Sequence, residues 1–131
     1  MEYGMSFDRI KILLVDDSAV MRRIVASFLV KMGCVQVEEA SGVSQAMHSI
    51  DIERPDLIIC DYAMPGQTGL DLLKRIRRDP RNSKVIFIMI TAEAQLCQIL
   101  SAFREGADQY VTKPFTREYL RYILERALED F

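Results

Sequence analysis

Lys11-Ile-Leu-Leu-Val-Asp-Asp17 decides the fold of this chain. An apolar run of strand length with no polar alternation reads as a strand covered on both faces, and the two carboxylates that close it stand at its mouth. The pattern recurs: Leu57-Ile-Ile-Cys60 ends in Asp61, Val85-Ile-Phe-Ile-Met-Ile90 ends in Thr91, and Tyr110-Val-Thr112 ends in Lys113. Every strong strand therefore delivers a polar group at its carboxyl end.

Between the strands the apolar period changes from that of a strand to that of a helix. Met21, Ile24, Val25, Phe28, Leu29 and Met32 form a helical stripe over 18–32, with Arg22 and Arg23 on the wet side, and Gly33 stops it. Residues 35–40 alternate weakly and read as a short strand, after which Val43, Ala46, Met47 and Ile50 return to helical spacing and Pro55 marks a turn. Met64-Pro65-Gly66 lies in the loop after the third strand, followed by a helix over 69–78 with Leu70, Leu73 and Ile76 inward, closed by Asp79-Pro80. Leu96, Ile99, Leu100 and Phe103 define a fourth helix that Gly106 ends, residues 109–112 form the fifth strand, and Thr116 caps a last helix that turns Leu120, Ile123, Leu124, Ala127 and Leu128 to the core. Strands alternating with helices imply an α/β fold with a doubly wound, five-stranded parallel sheet, because parallel neighbours need crossovers and right-handed crossovers cover both faces.

The chain has 131 residues, enough for one domain with a core that needs no covalent staple. Its net charge of −2 gives no basic nucleic-acid footprint, so partners are selected by local surface. Cys34, Cys60 and Cys97 are odd in number and widely spaced, which fits free thiols better than a disulfide framework or a zinc site. Alternation sends Cys60 to the face opposite Asp61, as a core residue. Residues 1–9 hold no apolar stretch of signal-peptide length, and no run approaches the ~20 residues that cross a bilayer, so a soluble, cytoplasmic protein is expected.

In open parallel sheets ligands bind outside the carboxyl ends of the strands, where the strand order reverses; for an order 2-1-3-4-5 that point lies between the first and third strands. Those strands carry Asp16, Asp17 and Asp61, and the fourth and fifth bring Thr91 and Lys113 to the same rim. Like charges 4 Å apart repel by roughly 4 kcal/mol at an effective dielectric near 20, so three gathered carboxylates call for a cation. Incomplete coordination by oxygen suits Mg²⁺, which keeps waters and shares its shell with phosphoryl groups. A carboxylate backed by a divalent ion, a lysine and a hydroxyl has the parts for phosphoryl transfer, with Asp61 as nucleophile. Taken singly, Asp16 or Asp17 reads as a helix cap and Lys113 as a surface ion-pair partner; their joint placement on strand ends argues against that.

The residues Ile12-Leu-Leu-Val-Asp-Asp17, Asp61-Tyr-Ala-Met-Pro65 with Gly69, Ile90-Thr-Ala-Glu-Ala94 and Tyr110-Val-Thr-Lys-Pro-Phe115 resemble the receiver domain of two-component response regulators, especially the single-domain chemotaxis type, over nearly the whole chain. The resemblance implies the flavodoxin-like order 2-1-3-4-5, a receiver unit over 10–131 and an N-terminal extension over 1–9. It implies that Asp61 accepts a phosphoryl group from a phosphohistidine on a sensor histidine kinase or a histidine phosphotransfer protein. Asp17, Asp61 and the backbone carbonyl of Ala63 would ligate Mg²⁺, with Asp16 acting through water. Lys113, across a cis bond to Pro114, would contact the phosphoryl oxygens, and Thr91 would hydrogen-bond the new group and let Tyr110 turn inward. The fourth helix, fifth strand and fifth helix would then present a changed face to a downstream target, the protein remaining a monomer that engages neither nucleic acid nor membrane.

Other readings of the same residues exist. Tyr110 alone reads as a half-buried core aromatic, Tyr122 as a partner contact or a bland surface ring, and His48 as a solvated helix residue, leaving the donor histidine to another protein. Ala63 stands where the chemotaxis proteins carry an amide, so Ala63 and Glu93 are expected to set the rate at which water removes the phosphoryl group. An FMN carrier would need a hydroxyl- and glycine-rich phosphate loop where Asp16-Asp17 stands, and an aspartyl phosphatase an acid where Ser18 follows Asp16 by two. A degenerate receiver, binding partners without phosphorylation, is argued against by the retention of all five rim residues.

Overall fold

The computed structural model describes residues 6–92 and 95–129; Glu93, expected beside the site, lies outside them. Strands β1 (Lys11–Val15), β2 (Gln36–Ala40), β3 (Leu57–Asp61), β4 (Ile86–Thr91) and β5 (Gln109–Thr112) form one parallel sheet in the order β2-β1-β3-β4-β5. Helices α1 (Ala19–Lys31), α2 (Val43–Ile52), α3 (Gly69–Arg78), α4 (Leu96–Arg104) and α5 (Arg117–Ala127) fill the crossovers, with a short 3₁₀ turn at Pro80–Asn82.

The sheet divides the core in two. On one face Ile12, Leu14, Ile59, Ile88 and Ile90 pack against Val25 and Leu29 of α1 and Leu120, Ile123 and Leu124 of α5. On the other, Leu13, Val15, Ile58, Cys60, Phe87 and Met89 pack against residues of α2, α3 and α4. The central strands β3 and β4 are buried at every position, which is why they carry no polar alternation. Cys60 lies on the α2–α3 side as alternation required, and burial, with the neighbouring Asp61 and Asp16 charges, holds its thiol well above the ordinary value. Phe7, ahead of β1, is buried in the first cluster beneath the Arg121 guanidinium, 5.2 Å from the ring centroid.

Side chains fix where α1, α3 and α5 begin. Ser18 accepts a hydrogen bond from the Met21 N–H, Thr116 accepts one from the Tyr119 N–H, and Thr68 and Asp71 form a reciprocal capping box at α3. Gly33 and Gly106, each at positive φ, follow α1 and α4 as the sequence predicts.

Several boundaries or faces depart from expectation, among them Ile24 of α1 and Leu96, Leu100 and Phe103 of α4, which stand exposed. β2 starts at Gln36, with Val35 70% exposed, because an edge strand has only one neighbour to order its entry. In α3 the buried pair is Leu72 and Leu73, while Leu70 is only half-buried: the helix starts so close to the site loop that its first turn faces the rim. Arg22 of α1 is not on the wet side; its guanidinium folds back to Glu39 at 3.0 Å and donates to the Asp16 carbonyl.

A cross-tie closes the amino edge of the sheet. Arg77 near the end of α3 donates to the Gly106 carbonyl from both Nε and Nη2 (3.2 and 2.9 Å) and to the Asn82 carbonyl from Nη1 (3.0 Å). Its Nη2 also reaches Asp108 Oδ2 at 3.2 Å, and that carboxylate accepts the Phe87 N–H at 2.8 Å, so the approaches to β4 and β5 share one arginine. Among the described residues no helix is long and apolar enough to cross a membrane.

Candidate functional site

β1 and β3 are neighbours in the sheet, so the residues that leave their carboxyl ends meet. Asp16, Asp17 and Asp61 each offer a carboxylate oxygen, and these oxygens lie within 4.8 Å of one another. Asp16 and Asp61 are buried and Asp17 is exposed, so the cluster opens to solvent on one side. Three hard oxygen donors at this spacing could hold a metal ion.

Each carboxylate is held by its own stretch of chain. The Asp16 N–H donates to the Ala40 carbonyl at 3.1 Å, its Oδ1 accepts the Ser18 N–H at 2.9 Å, and its carbonyl accepts Arg22. One side-chain oxygen is thus spent on the backbone and the other points to the cluster. Asp61 is the last residue of β3, and the chain beyond it turns sharply: the Tyr62 N–H donates to the Ile90 carbonyl at 2.7 Å and the Gly69 N–H to the Tyr62 carbonyl at 2.8 Å. A Cβ on Gly69 would lie 2.5 Å from the Asp61 carbonyl and 2.9 Å from Met89 Sδ, so α3 can begin this close to the site only because residue 69 has no side chain.

Lys113 reaches the cluster from the far side. Its Nζ lies 3.2 Å from Asp61 Oδ1 and 3.8 Å from Asp16 Oδ2, with the side chain 20% exposed. Its N–H donates to the Thr91 carbonyl at 2.7 Å, which ties the loop after β5 to the end of β4, and the bond to Pro114 is cis as expected. Phe115, just beyond, packs edge-on against Phe28 of α1, ring centroids 6.2 Å apart.

The charges compete at Asp61. Burial pushes its carboxyl above the ordinary value, the Asp16 charge pushes it further, and Lys113 pulls it back. Lys113 thus offsets part of the burial penalty and of the repulsion, and the net direction remains upward.

Thr91 is buried at the end of β4, in register with Thr112. Ala63 lies exposed on the loop two residues after Asp61, and with Thr91 it lines a cavity of about 430 Å³ beside the cluster. Tyr110 is half-buried on β5 and packs against the α2–α3 core cluster. His48 is exposed on α2. The sequence reading thus finds its rim residues at one end of the sheet. It named Gly69 only as part of the resemblance, without its contact with Asp61, and missed the roles of Ser18 and Arg22, of which Ser18, three residues ahead of Met21 at a helix start, left a local signal. Arg22 and Gly69 act through contacts with Glu39 and with Asp61, partners that no local pattern names.

The arrangement matches known proteins along most of its length. The family model of the response regulator receiver domain fits residues 12–125. The chemotaxis protein CheY of Pseudomonas aeruginosa is 39% identical over 119 residues, covering 91% of this chain and 96% of the relative, and CheY-3 of Vibrio cholerae is 40% identical over the same length. Among solved structures, chemotaxis protein CheY4 of Vibrio cholerae superposes with a TM-score of 0.84 at 31% identity, covering 95% of this chain and 99% of that one. NtrX of Brucella abortus superposes with a TM-score of 0.85 at 31% identity, but there the match spans only 27% of the solved chain. A doubly wound sheet in this order, with acidic residues gathered at its switch point and similarity across more than nine-tenths of several relatives, leaves one assignment: the chain belongs to the response regulator receiver domain family and is CheY-like.

Proposed function

We propose that this protein is a phosphorylatable signalling switch in which Asp61 accepts a phosphoryl group from the phosphohistidine of a sensor histidine kinase or a histidine phosphotransfer protein. The observation that carries this reading is Lys113 Nζ at 3.2 Å from Asp61 Oδ1 within an acidic triad. An oxygen of Asp61 attacks phosphorus, the N–P bond of the donor breaks, and the imidazole leaves with the electron pair. Lys113 then exchanges its carboxylate contact for the phosphoryl oxygens, and the Thr91 hydroxyl donates to a third. Asp17, Asp61 and the Ala63 carbonyl would hold Mg²⁺, with Asp16 bound through water; the ion supplies neutralisation of the charge that builds on the transferring group.

Movement of Thr91 toward the phosphoryl group frees space for Tyr110, and the face built from α4, β5 and α5 carries the change to a target protein. Leu96, Leu100 and Phe103 of α4 are 69%, 50% and 45% exposed, an apolar strip suited to such a contact. The receiver unit on this reading spans 10–131 and works in the cytoplasm as a monomer.

The test is incubation with acetyl phosphate with and without Mg²⁺. The expected result is a hydroxylamine-sensitive adduct of about 80 Da that needs Mg²⁺ and is absent from Asp61→Asn. If no adduct forms under any Mg²⁺-containing donor, the protein is a binding module that works without phosphorylation.

A further inference from the structure

The main chain of Asp16 is gripped on both sides by the end of β2. Its N–H donates to the Ala40 carbonyl at 3.1 Å, and its carbonyl accepts Nη1 of Arg22, whose Nε donates to Oε1 of Glu39 at 3.0 Å. Glu39 and Ala40 are consecutive residues of β2, so these contacts close a ring around one peptide unit. Arg22 is anchored in its turn by the first turn of α1, where its N–H donates to the Ser18 carbonyl at 3.0 Å, and its side chain is only 18% exposed. The partner Glu39 is 46% exposed, and an ion pair open to water adds little to stability. The informative contact is therefore the one to the Asp16 carbonyl. A peptide group is planar, so fixing that carbonyl also fixes the N–H of Asp17 and the directions in which both residues leave β1. Both carboxylates belong to the acidic triad.

We propose that Arg22 is the positioning residue of the cation site: it holds the Asp16–Asp17 peptide against β2 and so presets two carboxylates for Mg²⁺, with Glu39 fixing the guanidinium. The inference rests on the metal ligands proposed above. Arg22 acts through the backbone of Asp16, and its planar fork suits the task because one guanidinium can meet a carbonyl and a carboxylate at once. Charge and position pull in opposite directions here, which makes the role separable. A guanidinium beside an acidic cluster opposes a cation, so its loss, taken as charge alone, tightens Mg²⁺ binding. Loss of the restraint frees the peptide, and the carboxylates must then be ordered at the moment of binding, which weakens it. Partners that orient metal ligands from outside the coordination shell typically contribute tenfold or more to affinity, so the second effect is the larger.

That opposition of sign supplies the test. Mg²⁺ alone is titrated calorimetrically into wild type, Arg22→Met, Arg22→Lys and the double variant Arg22→Met/Glu39→Gln, below the melting temperature of each, with metal-free melting curves in parallel. Arg22→Met keeps the apolar stem and removes the donors; it is expected to raise the Kd for Mg²⁺ about tenfold. Arg22→Lys keeps the charge but loses the fork; it is expected to weaken binding in the same direction, and it decides the matter should Arg22→Met not fold. Adding Glu39→Gln to Arg22→Met is expected to change the Kd by less than about twofold more, because Glu39 acts through Arg22. A Kd that stays within twofold of wild type or falls, whatever happens to the metal-free melting temperature, overturns the role of Arg22 and leaves the metal ligands standing. Multiplied effects in the double variant overturn the part given to Glu39. Absence of Mg²⁺ binding by wild type overturns this inference and those ligands together.

Discussion

At the scale of single residues the site is built around a carboxyl group that the fold holds against its own charge. Burial and Asp16 raise Asp61 above its ordinary value of 3.8, and Lys113 only partly reverses this. A raised value means that the folded state binds the proton more tightly than the unfolded chain, so stability falls as pH rises through the interval that begins near 3.8. Asp61→Asn removes the group that ionises. In metal-free buffer at pH 7 the variant is expected to melt a few degrees above wild type, at about 3–5 °C per kcal/mol for a chain of this size. The gap should close as pH falls below about 4, where both states of the wild type are protonated. Melting curves across pH check this; a variant less stable than wild type at pH 7 contradicts it. The principal members of this site were legible because each closes a strand, and strand ends can be read from the apolar runs themselves. Arg22 was not, and Gly69 was legible only through the resemblance, since each matters for an atom brought near it from another element.

At the scale of elements, periodicity found all five strands and all five helices, and its errors have one cause. A stripe of apolar residues says that a helix has a preferred side; it does not say that the side is covered. α4 shows the difference, because Leu96, Leu100 and Phe103 stand largely in solvent while Ala102 is the buried contact with the sheet. A small residue at that point lets the helix approach closely, and the larger ones are left outside. Leu100→Lys is therefore expected to change stability by less than about 0.5 kcal/mol, whereas Ala102→Leu overpacks the contact and costs about 1–3 kcal/mol. Urea unfolding of the two variants measures both. Comparable losses would mean that the exposed strip is part of the core after all. α3 fails in the other direction: Leu70 has the right spacing for burial but stands in the first turn, which Gly69 presses against the loop after Asp61.

At the scale of the whole molecule, the alternation of strand and helix predicts a parallel sheet from the sequence alone, while the order of strands came from resemblance, because no local pattern records which strands are neighbours. That order determines the chemistry: only with β1 beside β3 do three carboxylates from distant sequence positions converge. Their mutual repulsion is a cost of folding that a bound cation would offset. Mg²⁺ at a hundred times its dissociation constant is expected to stabilise the protein by about 2.7 kcal/mol, a rise of roughly 10 °C in Tm. Asp17→Asn, exposed and outside the core, should lose most of that rise while keeping the metal-free melting point, as differential scanning fluorimetry would report. An undiminished rise in the variant would place the ion elsewhere.

Arg77 braces the amino rim of the sheet. One guanidinium ties two segments, the turn at Asn82 and the stretch from Gly106 to Asp108, at the edge of the open sheet opposite Asp61. On the proposed reading, a disturbance beginning at the acidic pocket would find the opposite edge already fastened by this arginine. Its displacement would then run along the rim that holds Asp61, toward the last two strands and the helices that flank them.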